Sequence, residues 1–192
     1  MALSIDNIRF DEYRGYSHLE LSGLGHLVVL VGPNAVGKTN IIEGIQLLTA
    51  GESFRKPGWA EVVSWDAPAA CIKAELVDVA EKRSVTHKLS VSQGKRSYEV
   101  NGKKRAASGV RGTSPSVLFI PDHLQMVKGS SALRRDAVDG LAVQLSKTYG
   151  AIKADYSAAL RQRNLLIKSE VHAGPLFESW DESAAVNGAR LT

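Results

Sequence analysis

The chain has 192 residues, 44% hydrophobic and 23% charged, with a net charge of +4 and a sequence pI near 9.2. That length allows one good core or two small lobes of an ordinary soluble protein. No apolar run reaches membrane length and no basic-then-apolar leader opens the chain, so neither a membrane span nor a secretory signal is expected. The one cysteine, Cys71, cannot close an intramolecular disulfide, so a reducing, cytoplasmic compartment is expected.

Residues 3–10 and 17–22 read as two strands, the second with Leu19 and Leu21 alternating with His18 and Glu20. His26 to Val31 is an apolar, β-branched run, which predicts a strand buried on both faces. It leads into Gly32-Pro33-Asn34-Ala35-Val36-Gly37-Lys38-Thr39, which fits the phosphate-loop pattern G-x-x-x-x-G-K-[ST] at every position. The glycines permit backbone dihedrals that a Cβ would forbid, and successive amides then form an anion nest. Lys38 supplies charge for the β- and γ-phosphates of a nucleotide, and Thr39 offers a hydroxyl to Mg²⁺. Thr39 to Leu48 has apolar residues at helical spacing, so a helix dipole points at the same phosphates. The motif implies nucleotide binding and leaves the use of the nucleotide open.

Gly51 to Lys56 is a polar loop with adjacent cations Arg55 and Lys56, closed by Pro57-Gly58. Next, Cys71, Lys73 and Glu75 alternate with Ile72, Ala74 and Leu76, and Val85, Leu89 and Val91 with Thr86, Lys88 and Ser90. Tyr98 and Val100 follow, then the tight-turn pair Asn101-Gly102. The prediction is an antiparallel β-meander beside the nucleotide lobe. The character changes near Ser114-Pro115, which places the lobe boundary between 113 and 114. Val117 to Ile120 reads as a last buried strand. Beyond Gly129 the pattern is helical, with Ser130 or Ser131 as N-cap. Leu133, Ala137, Leu141 and Leu145 form one stripe; Ile152, Tyr156 and Leu160 form another, stopped at Gly174-Pro175. Helix-pair packing accounts for both stripes. The helices are expected to be short and interrupted at Gly150. The five histidines are scattered without metal-ligand spacing.

Lys95, Arg96, Lys103, Lys104, Arg105, Arg111, Lys128, Arg134 and Arg135 face only Glu99 and Asp122 between residues 94 and 135. Such a stretch serves either as a solvated surface or as a salt-sensitive phosphate-neutralising patch. Lys103, Lys104, Arg105 and Arg111 are the DNA-contact candidates. No aromatic platform is interleaved with the patch, so base stacking on single strands is not indicated.

These motifs together resemble the N-terminal part of the RecF family, bacterial DNA replication and repair ATPases related to the SMC and ABC ATPases. The resemblance rests on Tyr13-Arg14-Gly15-Tyr16, Gly32 to Asn40, Ser53-Phe54-Arg55 and Asn101-Gly102-Lys103. It continues through Phe119-Ile120-Pro121, Arg134-Arg135, Gln162-Arg163-Asn164 and Trp180-Asp181, and so covers essentially the whole chain. The departures are Gly15 for a usual Asn, Glu52 for Arg, Asp122-His123 for Glu-Asp, and Ser131 for Pro. The resemblance implies an α/β fold: a P-loop ABC/SMC-type ATPase lobe with an antiparallel β-meander, followed by part of a helical second lobe. ATP and Mg are the implied cofactors. Asn40 joins the loop residues as nucleotide-binding, and Arg14 is implied near the phosphates. The family further implies an ATP-dependent homodimer that clamps gapped or junction DNA and works with RecR and RecO in loading RecA.

A hydrolytic site of this class also needs an acidic strand for Mg²⁺ and water, and a Ser-Gly-Gln signature from the partner subunit. Both come late in the family, so the chain is expected to be an N-terminal fragment, with no catalytic residue of its own and no meaningful ATP turnover. Val117 to Asp122 mimics the acidic strand, but Pro121 breaks it. Leu21 to Gly25 and Ser92 to Gly94 mimic the signature and read as hairpin turns. A small-molecule P-loop kinase, another SMC-class repair ATPase and a non-catalytic nucleotide- and DNA-binding module stay open as alternatives.

Overall fold

The computed structural model describes residues 3–78, 82–170 and 173–191. The chain divides into two compact units, residues 1–118 and 119–192.

The first unit runs β1 (Leu3–Tyr13), β2 (Tyr16–Ser22), α1 (Lys38–Ala50), a 3₁₀ turn (Trp59–Val62), β3 (Ala69–Asp78), β4 (Arg83–Ser92), β5 (Lys95–Val100), β6 (Lys103–Arg105) and a short α2 (Ala107–Val110). The six strands form one antiparallel sheet in the order β2-β1-β3-β4-β5-β6. The hairpin and the meander are therefore one sheet. The eleven residues of β1 pair along both edges, which joins what the sequence divided into a lobe and a neighbour. Tight turns at Gln93-Gly94 and Asn101-Gly102 have positive φ at both central residues, as a two-residue hairpin loop demands.

Alternation along the strands builds the core. Phe10, Ile72, Leu89 and Tyr98 stand opposite one another on successive strands, and so do Ile8, Ala74, His87 and Val100. Both rows are buried, and Ile41, Leu47 and Leu48 of α1 join the same core. Phe10 lies so near α1 that a Cβ on Gly44 would collide with the ring. His87 bridges from the sheet to the end of α1: Nδ1 lies 3.3 Å from the Leu48 carbonyl and Nε2 3.1 Å from Ser114 Oγ. Those partners suit a neutral ring donating at Nδ1 and accepting at Nε2.

Two predicted strands are absent. His26–Val31 and Val117–Ile120 have no regular structure, and neither joins the sheet. An apolar run buries both faces only between neighbouring strands. Without them Leu27 is 86%, Val31 87% and Val117 83% exposed. For the same reason Leu21 to Gly25 is not a hairpin: Leu21 and Ser22 end β2, and the chain bends at Gly23. The bend is fixed by Leu24 N–H donating to the Asp6 carbonyl at 3.1 Å.

The second unit holds a 3₁₀ turn (Pro121–Leu124), α3 (Gln125–Lys128), α4 (Ser131–Leu145), α5 (Lys147–Lys168) and α6 (Pro175–Ala189). The helical interruption falls at Ser146, whose Oγ accepts from Tyr149 N–H at 3.1 Å and caps α5. Gly150 lies inside that 22-residue helix. Gly174-Pro175 opens α6, with Pro175 in the first turn where its missing N–H costs nothing. The Leu133-Ala137-Leu141-Leu145 stripe is not a packed seam, since no residue of α4 is buried. What ties α4 to α5 is polar: Asp139 accepts from Tyr149 Oη at 2.5 Å and from Lys153 Nζ at 2.6 Å. The tighter pair is α5 with α6, where Ala159 and Ala184 are buried and Gly188 packs under the Tyr156 ring.

Two outcomes follow from the core. Gly44→Ala forces a methyl into the Phe10 ring, an overpacking cost of about 1–3 kcal/mol against a helix-propensity gain of about 1 kcal/mol. The urea midpoint is expected to fall; a midpoint at or above wild type would mean the ring yields freely. For His87, burial disfavours the charged ring and lowers its pKa below the ordinary 6.5. On acidification the unfolded chain therefore takes up the proton first, and stability declines as pH drops below 6.5 towards the depressed native value. His87→Gln removes that slope, measurable as urea midpoints between about pH 7.5 and 5.5.

Candidate nucleotide site

The phosphate-loop sequence folds into a tight turn ahead of α1. Gly37 is the N-cap residue, at φ 102°, and its carbonyl accepts from Asn40 N–H at 2.7 Å and Ile41 N–H at 3.3 Å. That φ belongs to the left-handed region where glycine is needed. Ala35, with φ 65°, sits in the same region at some cost, as loop residues at binding sites often do. No side chain caps α1. Among the described residues, no hydrogen bond takes up the N–H groups from Asn34 to Thr39. Unsatisfied amides at a helix start, with the dipole behind them, make a place for an anion.

Lys38 folds back over this turn. Its Nζ donates to the carbonyls of Gly32 (2.7 Å) and Pro33 (2.6 Å), which parks the ammonium at the loop's own mouth. Phosphate oxygens are acceptors for an ammonium of the same kind as those carbonyls, and charged ones bind it more strongly. Thr39 lies in the first turn of α1. Its hydroxyl is suited to a Mg²⁺ ion whose remaining ligands are phosphate oxygens and water. Among the described residues no group of three or more His, Cys, Asp or Glu is placed to hold a metal by itself.

Below the loop lies a residue that the sequence marked only as part of a helix pattern. Glu43 is fully buried. Its Oε1 accepts from Arg14 Nη2 at 2.8 Å and Ser53 Oγ at 2.6 Å, and its Oε2 from Arg14 Nε and Arg55 Nη1, both at 3.2 Å. Burial alone would raise its pKa; the hydrogen bonds of Arg14 and Ser53 and the charges of Arg14 and Arg55 hold it below the usual carboxylate value. Tyr13 donates to the Asn40 carbonyl at 3.0 Å, and burial pushes its phenol well above the ordinary value. The Asn40 side chain accepts from Arg55 Nη1 at 2.8 Å. Arg14 is thus placed under α1, with Nη1 on the Glu61 carbonyl at 2.8 Å. The available signal was an acid within the buried stripe of a helix, with arginines on both flanking segments.

The basic stretch is spread over several structures. Lys103, Lys104 and Arg105 form the edge strand β6, all exposed, but they alternate between faces: Lys104 stands opposite Glu99, while Lys103 and Arg105 stand opposite Val100 and Tyr98. Arg111 donates from Nε to the Ala50 carbonyl at 2.9 Å and lies 3.3 Å from Glu52, where it caps α1. Arg96 lies over the Trp59 ring at 4.4 Å. Arg134 donates to the Met126 and Gly129 carbonyls. Sequence order hid another set: pairing register aligns Arg9, Lys73, Lys88, Glu99 and Lys104 in one row across five strands on the outer face.

No family model matches the chain. Curated relatives do. A "DNA replication and repair protein RecF" of Beutenbergia cavernae is 32% identical over 201 residues, covering 97% of this chain and 50% of that protein. The protein of that name from Synechococcus sp. (strain JA-3-3Ab) is 34% identical over 187 residues, covering 93% and 48%. The chain spans about half the length of the curated relatives it matches. Among solved structures, "the recombination mediator protein RecF-ATPrS in RecFOR pathway" superposes with TM-score 0.88 at 27% identity, over 98% of this chain and 52% of its own. Its "RecF-ATP" counterpart gives 0.85 at 26%. An SMC ATPase structure at 19% identity and TM-score 0.60 shares the fold over 71% of this chain. The fold is thus the α/β ABC/SMC-type ATPase fold, and the chain, covered over nearly its whole length by RecF relatives and RecF structures, matches an N-terminal RecF part.

Proposed function

We propose that this chain is the ATP-binding part of a RecF-type DNA replication and repair protein. One observation carries the reading: the turn Gly32–Thr39 sits at the uncapped start of α1, with free amides and the Lys38 ammonium at one place. The solved relatives named with ATP and ATPrS support it. In this reading the γ-phosphate end lies on the amides of residues 34–39, Lys38 exchanges its loop carbonyls for phosphate oxygens, and Thr39 meets the Mg²⁺ that arrives with the nucleotide. Arg14 acts through Glu43, as a prop under α1. Hydrolysis needs a carboxylate that orients water. Asp122, the sequence mimic, lies exposed in the Pro121–Leu124 turn. Binding without turnover is the expected behaviour of these 192 residues.

The reading extends to an ATP-dependent homodimer that holds gapped DNA in concert with RecR and RecO, in the cytoplasm. For DNA the edge strand β6 and the outer-face row through Lys73 and Lys104 are the contact surface, with Lys103 and Arg105 fringing it. Phosphate contacts of this kind are read by charge and weaken with salt.

Calorimetry with ATP-Mg²⁺ tests the first claim. Lys38→Ala is expected to lose detectable heat, and no heat from the unaltered chain would sink the reading; steady turnover that Lys38→Ala abolishes would contradict the non-hydrolytic part. A gapped duplex titrated at several salt concentrations tests the second. Changing Lys103, Lys104 and Arg105 to Glu is expected to flatten the slope of log K against log salt by about one for each DNA phosphate that is no longer neutralised. An unchanged slope would remove β6 from the interface.

A further inference from the structure

We propose that the turn between β1 and β2 buttresses the phosphate loop, and that Tyr16 is a positioning residue for the bound triphosphate. The inference rests on the nucleotide reading above and names the part of the fold that shapes its site. Gly37 is pressed from below: a Cβ added there would collide with Tyr16 Oη and lie 2.8 Å from Cζ and 3.3 Å from Cε2. The tip of the phenol, Oη first and then Cζ and Cε2, therefore abuts the side of Gly37 where a Cβ would stand. Tyr16 Oη also donates to the Val36 carbonyl, but at 3.4 Å that bond is weak. The steric contact of the phenol's tip, where Cζ and Cε2 lie behind Oη, is the working part. Glycine at this position answers two demands, the left-handed φ and the ring beneath it.

The ring cannot retreat. It leans on Phe10, whose centroid is 6.3 Å away and whose side chain is fully buried. The turn that carries it is tied at four points. Arg14 N–H donates to the Val62 carbonyl at 3.0 Å, Ser64 Oγ donates to the Arg14 carbonyl at 2.8 Å, and the Arg14 guanidinium holds Glu43 and the Glu61 carbonyl. Arg14 itself takes a left-handed φ of 54°, which these bonds overcompensate. The sheet therefore sets the height of Gly37, and with it the amides that follow, before any ligand arrives. A loop fixed in advance spends less of its binding energy on ordering itself. Removing the ring leaves space under Gly37 and lets the turn sag.

The 192-residue chain, with Tyr16→Phe and Tyr16→Ala, is titrated calorimetrically with ATP-Mg²⁺ and, separately, with magnesium tripolyphosphate, and each variant is melted. Tyr16→Ala is expected to weaken both ligands by the same factor, about tenfold, while Tyr16→Phe stays within about twofold of wild type. Tyr16→Leu, which keeps bulk without a flat ring, serves if the alanine variant fails to fold and is expected to weaken both ligands equally. Unchanged affinities, with or without a lower melting temperature, would make Tyr16 structural only and overturn the proposal. Loss confined to ATP would overturn it too, since Tyr16 would then touch the nucleoside. If the unaltered chain binds neither ligand, the nucleotide reading itself fails and takes this one with it.

Discussion

The fully buried carboxylate of Glu43 is the constraint on which the site depends. A charge without water needs partners on nearly every lone pair, and removing one of them leaves a penalty of about 3–5 kcal/mol. Here the partners come from two segments, Arg14 from the β1–β2 turn and Ser53 and Arg55 from the loop after α1, which meet on the helix that carries Glu43. Satisfying one side chain therefore brings those segments to the base of the phosphate loop. Arg55 passes the arrangement on to Asn40, one residue beyond the loop motif.

The helix is held at its other end by different chemistry. His87 and Arg111 each take a carbonyl from the last turn of α1, those of Leu48 and Ala50, and Gly51 ends the helix at φ 70°. A helix end leaves carbonyls without intrahelical partners, and a cation there also meets the negative end of the dipole. So α1 is pinned at both ends to the sheet and its flanking loops, while Phe10 meets Gly44 midway. Arg111, one of the DNA candidates, thereby has a role in the fold that its charge alone did not disclose.

Much of this was legible in the sequence where the signal was local. Alternation in 71–76 and 85–91 and the Asn101-Gly102 turn each depend on a few neighbouring residues, and each forms as read. The failures share one cause. An apolar run such as 26–31 or 117–120 becomes a buried strand only beside other strands, and periodicity cannot reveal whether neighbours stand there. The stripe from Leu133 to Leu145 carries the same ambiguity: spacing shows a helix and an apolar side without showing what covers it. Glu43 and Tyr16 were missed for a related reason, since their partners lie 29 and 20 residues away in sequence.

Charge followed the same logic. Lys103, Lys104 and Arg105 looked like one cluster because they are adjacent, yet strand geometry sends neighbours to opposite faces. Lys73, 31 positions before Lys104, shares a face with it through register, and lies between Arg9 and Lys88 on the adjoining strands. Like charges directly opposite on paired strands are unfavourable. Asp11 relieves Arg9 and Glu99 relieves Lys88, each by an ion pair. Lys73 stands between two cations that are already engaged, so an added phosphate would gain more there than beside the neutralised pairs. On a sheet, then, it is the row across strands, and not the run along the chain, that decides which charges share a face.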